Sequence, residues 1–79
     1  MRIRYFAGAA DAAATEEDTF QGPVSVAELR AALAQRHGAE FERVLGLCSL
    51  MVDGSRADDE AAVVQDAATV DVLPPFAGG

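Results

Sequence analysis

The 79-residue sequence predicts an α+β domain, in which a mixed sheet of about five strands packs on one main helix and a second, short helix. Three observations lead to this prediction. Segments with strand-type alternation lie at both ends of the chain, a helix-start signature lies between them, and 51% of the residues are apolar. The predicted order is strand, strand, helix, short helix, strand, short strand, strand. Strands on both sides of one main helix favour a sheet with the helix packed on one face.

The N-terminal segment predicts a hairpin. The first strand is expected over residues 2–6, with Ile3 and Tyr5 facing the core and Phe6 on the outer face. The alanine-rich stretch that follows is either a loop or a frayed helical turn. Residues 15–20 then read as an acidic return strand.

The main helix has clear start and stop signals. Ser25 and Glu28 have the spacing of a capping box, and Gly38 is a natural residue for the position just past the helix end. Arg30 is expected on the solvent face of this helix. His37 is interpreted as a cap of the negative helix end, without a chemical role, because no acidic or cysteine partner lies near it in the sequence.

The second half of the chain alternates between short elements. A short helix is predicted over residues 39–45, followed by the clearest strand over residues 47–52. In that strand the even positions face the core and Met51 faces outward. Residues 63–64 are predicted as a short edge strand, and the last strand is predicted over residues 69–73.

The charge balance excludes several function classes. The net charge is −7, from thirteen acids and six cations, which disfavours a nucleic-acid partner because phosphate binding needs clustered cations. All six cations are arginines. Without lysine, the chain has no ε-amine for Schiff-base chemistry, for a phosphate-binding P-loop or for conjugation to itself.

No bound metal, cofactor or membrane is expected. Cys48 is the only cysteine and is interpreted as a small apolar core residue. The three acids of residues 58–60 read as a solvated turn, because consecutive side chains cannot converge on one ion. No stretch approaches the roughly 20 apolar residues of a membrane span, and the N-terminus runs straight into a strand pattern, so we expect a cytoplasmic protein.

The last six residues, PPFAGG, predict a chain that works through its C-terminus. The two prolines fix φ and remove two amide donors, so the sheet ladder cannot extend through them. Gly78 and Gly79 carry no Cβ and can enter a narrow channel. We therefore expect a domain over residues 1–75 and a flexible tail over residues 76–79.

An apolar docking face is expected beside this tail. Strand alternation places Phe6, Met51 and Leu73 on the outer sheet face, close to Phe76. Clustered apolar side chains on a surface suggest a partner. The predicted partner-binding residues are Phe6, Met51, Leu73, Pro74, Pro75, Phe76 and Ala77.

The chain resembles the ubiquitin-like β-grasp sulfur carriers, and most closely the small subunit of molybdopterin synthase. The resemblance covers the whole chain: an opening strand that ends in Phe6-Ala7, a capped helix that begins near residue 26, and the closing PPFAGG. Length and element order also match. It implies a β-grasp fold.

The resemblance also implies a function. In that family an ATP-dependent, E1-like activating enzyme adenylates the tail, which is then converted to a thiocarboxylate. The tail enters the active site of a large subunit and delivers its sulfur to cyclic pyranopterin monophosphate. Carried over, Gly79 bears the adenylate and then the sulfur, with Gly78 beside it. The chain would bind no cofactor, use ATP only through its activating partner, assemble with the large subunit as a heterotetramer and perform no catalysis alone.

Three alternatives stay open. The first is a sulfur carrier for another pathway, such as thiamine, cysteine or tRNA thiolation. The second is a protein modifier attached through Gly79 to lysines of its targets. The third is a β-grasp binding domain in which the two terminal glycines are incidental.

Overall fold

Residues 1–75 carry all of the structure described here, which is a computed structural model. The flexible tail predicted over residues 76–79 lies outside the described residues. The elements, in chain order, are β1 (Arg2–Tyr5), α1 (Gly8–Ala13), β2 (Glu17–Thr19), β3 (Val24–Ser25), α2 (Val26–His37), α3 (Ala39–Leu45), β4 (Ser49–Val52), β5 (Ser55–Arg56), β6 (Val63–Val64) and β7 (Thr69–Leu73).

The main sheet has five strands in the order β2-β1-β7-β4-β5. Strands β1 and β7 are parallel, and the other neighbours are antiparallel. The β1–β2 pair is the predicted hairpin, with helix α1 in its connection. The prediction of a mixed five-stranded sheet packed on one main helix is therefore confirmed.

One strand of that sheet was predicted wrongly. The fifth strand is β5, which follows a turn at Asp53 and Gly54, whereas β6 (Val63–Val64) pairs with β3 in a separate two-stranded sheet. Strands β3 and β5 are two residues long each. Such short segments have no room for an alternating pattern, so periodicity could not find them.

Helix α2 starts and ends as its sequence predicts. The Ser25 hydroxyl accepts a hydrogen bond from the Glu28 amide, and the Glu28 carboxylate accepts one from the Ser25 amide, both at 3.1 Å. The helix ends at Gly38, whose φ of +95° favours glycine. The alanine-rich stretch, left open between loop and helical turn, is the short helix α1 (Gly8–Ala13).

The core lies between helix α2 and the inner face of the sheet. The alternation predicted for β1, β4 and β7 is confirmed where it matters most, since Ile3, Leu50, Val70 and Val72 are 0–1% exposed. The largest fully buried side chains are Phe41, Ile3, Leu29, Leu33, Leu50, Val26, Val64, Val70 and Val72. None of the helices described over residues 1–75 has the length and hydropathy that crossing a bilayer requires.

Arg30 does not point to solvent as predicted. Its guanidinium donates to the carbonyls of Leu45, at 3.0 Å, and Cys48, at 3.1 Å. Leu45 is the last residue of helix α3 and Cys48 follows it, a region where carbonyls lose their intrahelical partners. Arg30 therefore fixes the connection between α3 and β4 to helix α2, a long-range role that helical spacing alone does not reveal.

His37 also has a partner that sequence proximity could not show. Its Nε2 lies 2.5 Å from Oδ2 of Asp18 on β2, and the Tyr5 hydroxyl donates to the same oxygen at 2.8 Å. Because a carboxylate can only accept hydrogen bonds, Nε2 carries the proton. Burial alone would raise the pKa of Asp18, but the hydrogen bonds from His37 and Tyr5 and the nearby charge of Arg36 hold it below its usual value. The cluster joins β1, β2 and the end of α2.

We expect Asp18→Asn to lower the free energy of unfolding at pH 7 by about 1–3 kcal/mol, because His37 and Tyr5 lose a charged acceptor. The pKa of Asp18 is lower in the folded state than its unfolded-state value of about 3.9. The wild-type protein therefore has the full stabilisation from the Asp18 charge at pH values above about 3.9 and loses it as the pH falls through the folded-state pKa. The difference between wild type and variant should therefore shrink in acid.

Urea unfolding between pH 7 and pH 3 measures this difference, and Asp11→Asn, at an exposed aspartate of α1, serves as the control. A difference that stays constant with pH would show that the Asp18 charge does not stabilise the fold.

Candidate functional site

The candidate site lies at the end of strand β7, where the chain leaves the sheet. Val72 accepts the last hydrogen bond from the β1 side, from the Phe6 amide at 3.2 Å, and Leu73 pairs with Ser49 on the other side. Pro74 and Pro75 follow directly and have no amide hydrogen to donate. The sheet ladder ends here because of these prolines, and the chain turns away at the rim of the sheet.

On the sheet side of this exit lies a groove of about 590 Å³. The pairing register explains its composition, because Leu73 lies opposite Ser49, and Met51 lies two pairs further along β4, on the same face of the sheet as Ser49. We call it the sheet-side groove; the residues that form it include Leu47, Met51, Arg56, Leu73, Pro74 and Pro75.

On the opposite side of the two prolines lies a second groove, of about 310 Å³. It runs between the first residue of helix α1 and the last turn of helix α3. We call it the helix-side groove; the residues that form it include Gly8, Arg43, Val44, Leu47, Pro74 and Pro75. The two grooves share Leu47 and the two prolines, so the base of the tail forms the ridge between them.

Leu47 is the site residue that the sequence analysis missed. It was placed at the start of a strand, but it lies in the turn after helix α3, with its amide bonded to the Val44 carbonyl at 3.0 Å. Its side chain is 61% exposed. The sequence did contain a signal for this exposure. Leu47 is at an odd position, like Ser49 and Met51, and strand alternation predicts that the odd positions of this segment face outward.

The predicted docking residues are brought together only in part. Met51 and Leu73 line the sheet-side groove with the two prolines. Phe6 follows the residue that pairs with Val72, which puts it beside Leu73 on the far side of β7, outside both grooves. The other predicted residues, Phe76, Ala77, Gly78 and Gly79, lie outside the described part of the chain. The binding role of the whole set stays a prediction.

Arginines surround the tail base although the protein is acidic. Arg4 makes a bidentate ion pair with Asp71, with N–O distances of 2.6 and 2.9 Å. The guanidinium carbon of Arg4 lies 5.7 Å from the ring centre of Phe6. Arg56 borders the sheet-side groove and Arg43 the helix-side groove. Like Arg4, both are paired with acids, Arg56 with Asp58 and Arg43 with Glu40, each at 2.7 Å.

The thiol of Cys48 is not exposed at the surface around the tail base. Cys48 is 6% exposed, and its Sγ donates to the Val44 carbonyl at 3.2 Å. Burial raises the pKa of the Cys48 thiol. The interpretation of Cys48 as a core residue is confirmed. Within residues 1–75, histidine, cysteine and acidic side chains form no group of three that could hold a metal ion.

Comparison with known protein families matches residues 3–79 to the ThiS family. The match covers nearly the whole chain and includes the segment after Pro75. The chain belongs to the ThiS family. This confirms the resemblance to the ubiquitin-like sulfur carriers that the opening strand, the capped helix and the PPFAGG ending indicated.

Solved structures share the fold of this ThiS-family chain. A putative molybdopterin converting factor subunit 1 from Pyrococcus furiosus has a TM-score of 0.79 at 20% identity, over 95% of both chains. SAMP1 from Haloferax volcanii, a small archaeal modifier protein, has a TM-score of 0.78 at 23% identity, over 100% of this chain and 98% of that one.

A third similar structure is a complex of subunits 1 and 2 of molybdopterin-converting factor from Helicobacter pylori, with a TM-score of 0.73 and 23% identity, over 99% of this chain and 96% of that one. At these identities the similarity shows the fold, and the β-grasp prediction is confirmed. A search of curated proteins gives no match.

Proposed function

We propose that this ThiS-family protein is the sulfur-carrying small subunit of a molybdopterin synthase. Gly79 is adenylated by an ATP-dependent, E1-like partner and converted to a thiocarboxylate. The tail then enters the active site of a large subunit and donates its sulfur to cyclic pyranopterin monophosphate. ATP is used by the activating partner and is not a cofactor of this chain.

The observation that carries the proposal is the family match up to residue 79, on a chain that ends in PPFAGG. The fold supports it, because β7 brings Pro74 and Pro75 to the rim of the sheet, between two grooves that offer apolar surface. The choice of the molybdopterin pathway draws support from the similar structures named as subunit 1 of molybdopterin converting factor.

The chemistry requires activation before transfer. A C-terminal carboxyl ionises near pH 3.5, so at neutral pH it is a carboxylate and a poor electrophile. Attack of this carboxylate on ATP forms the acyl adenylate and releases pyrophosphate. A sulfide-level donor then displaces AMP and leaves a thiocarboxylate on Gly79. Its sulfur attacks a carbon of the acceptor and displaces an oxygen group from it. Water then cleaves the acyl–sulfur bond, which regenerates the carboxylate and leaves the sulfur on the product as a thiol.

The reach of the tail constrains the partner. Four residues follow Pro75, and at about 3.3 Å each they extend at most roughly 13 Å. Ordering them costs on the order of 4–8 kcal/mol in backbone entropy, and the glycines bury little apolar area in return. The partner must therefore hold the body of the carrier close to the tail base, and Phe6, Leu73 and Phe76 are the proposed docking anchors.

A protein modifier is the second candidate, and the structural similarity to SAMP1 favours it. A modifier would use the same activated Gly79 but would acylate a lysine of a target protein. Because this sequence contains no lysine, the protein could not extend chains on its own side chains. A sulfur carrier for thiamine, cysteine or tRNA thiolation would use the same tail with a different acceptor.

Deletion of Gly79 tests the proposed function. We expect the shortened protein to melt at the wild-type temperature, because residue 79 lies beyond the last strand, and to lose sulfur transfer completely. The measurement is single-turnover sulfur transfer after incubation with the activating enzyme, ATP and a sulfur donor, with Gly46→Ala as a control at a glycine that lines neither groove. Transfer that persists without Gly79 would overturn the mechanism.

Phe76→Asp tests the docking anchors. A carboxylate in place of the ring should weaken binding to the large subunit at least about tenfold, because it puts a charge into a desolvated interface, and it should leave the melting temperature unchanged. The control is Val63→Asp, at an apolar side chain of β6 that is 60% exposed. A lower melting temperature with unchanged affinity would mean that Phe76 packs on the domain itself.

A further inference from the structure

The helix-side groove is open because position 8 carries no side chain. Gly8 is the first residue of helix α1, and a Cβ built on it would meet no atom within 4 Å. Its φ is not in the left-handed region, so the backbone does not require glycine there. A Cβ at this position would therefore disturb no packed neighbour, and a longer side chain would start at the wall of the groove.

The groove lies within the part of the surface that a tail-binding partner must approach. Pro74 and Pro75 form one of its walls, and residue 79 can lie at most roughly 13 Å beyond Pro75. A protein that encloses Gly79 therefore comes within that distance of the ridge formed by Leu47 and the two prolines. That ridge has a groove on each side, and of the docking anchors proposed above only Leu73 lines one of them, the sheet-side groove.

We propose that the helix-side groove is a second docking site for the large subunit, which receives an apolar side chain of that subunit between Gly8 and Val44. This inference rests on the proposed function, because it takes the partner to be the protein that encloses the tail. With both grooves filled, the partner holds the tail base from two sides and fixes the direction in which residues 76–79 leave the domain.

Charge complements this assignment. Arg43 lies on the rim of the groove, with its side chain 66% exposed. Its Nε and one terminal nitrogen donate to Glu40 at 3.3 and 2.7 Å. A guanidinium has five N–H donors, so the two bonds to Glu40 leave donors for a partner. We therefore expect the apolar side chain of the large subunit to have an acidic neighbour that bonds Arg43.

The test compares two glycines of this chain. Gly8→Gln fills the helix-side groove, whereas Gly46→Gln adds the same side chain at the end of helix α3, beside a different groove formed by Ala31 and Leu45. At Gly46 a Cβ would lie 3.5 Å from the nearest atom, an ordinary contact. Affinity for the large subunit is measured by titration calorimetry, and melting temperature reports folding. We expect Gly8→Gln to weaken binding at least about tenfold and Gly46→Gln to bind as wild type.

A second pair of variants guards against a folding defect in Gly8→Gln. Leu47 and Val63 are 61% and 60% exposed, so serine at either position should cost the fold little. Leu47→Ser should weaken binding several-fold, and Val63→Ser should not.

The outcomes separate the two hypotheses. If wild type binds the large subunit and both Gly8→Gln and Leu47→Ser bind equally well, the groove is not a docking site and the proposed function stands. If only Leu47→Ser weakens binding, the partner covers the ridge but not the helix-side groove, and the inference is overturned. If wild type does not bind the large subunit, the proposed function and this inference fail together.

Discussion

The position of strand β7 in the middle of the sheet determines the rest of the structure. It pairs in parallel with β1 and antiparallel with β4, and Val70 and Val72 on its inner face are fully buried. With both backbone edges paired and its inner face packed, the strand has one register available, since a slip by one residue would turn both valines to solvent. The point at which the chain leaves the sheet at Pro74 is therefore fixed.

A fixed exit matters because the tail that follows is short. If sulfur is carried on Gly79, the acceptor must come to the domain, and the surface around the exit decides which protein can do so. That surface is a ridge of Leu47, Pro74 and Pro75 between two grooves, with arginines around it. The apolar area offsets the entropy lost when the tail is ordered, and the three arginines are each paired with an acidic side chain of the domain.

Much of the fold could be predicted from the sequence, because the patterns that indicate its helices and strands are local. The capping box at Ser25, the stop at Gly38 and the alternation in β1, β4 and β7 each depend on residues within a few positions of one another. The pairing of His37 with Asp18 spans nineteen positions, so no local pattern could show it. The same holds for Arg30, whose carbonyl acceptors lie fifteen and eighteen positions away. Strands β3 and β5 were missed because two residues cannot show a period and because, unlike the two valines of β6, their residues do not favour a strand by composition.

Only part of the candidate site could be predicted from the sequence. Met51 and Leu73 follow from alternation and line one groove, while Leu47 was read as the start of a strand although its parity points outward. The helix-side groove needs α1, α3 and the tail base together, which no single segment of sequence reveals. Gly8 gave no signal of its own, because a glycine between a strand and an alanine-rich stretch reads as a turn residue.

The most direct measurement is the intact mass of the untagged protein purified from its own cells. A sulfur carrier should show a fraction whose mass exceeds the sequence mass by the replacement of one oxygen with sulfur, and that gain should disappear when the activating enzyme is deleted. Masses that correspond only to the unmodified chain, together with conjugates in which Gly79 is joined to lysines of other proteins, would contradict the account.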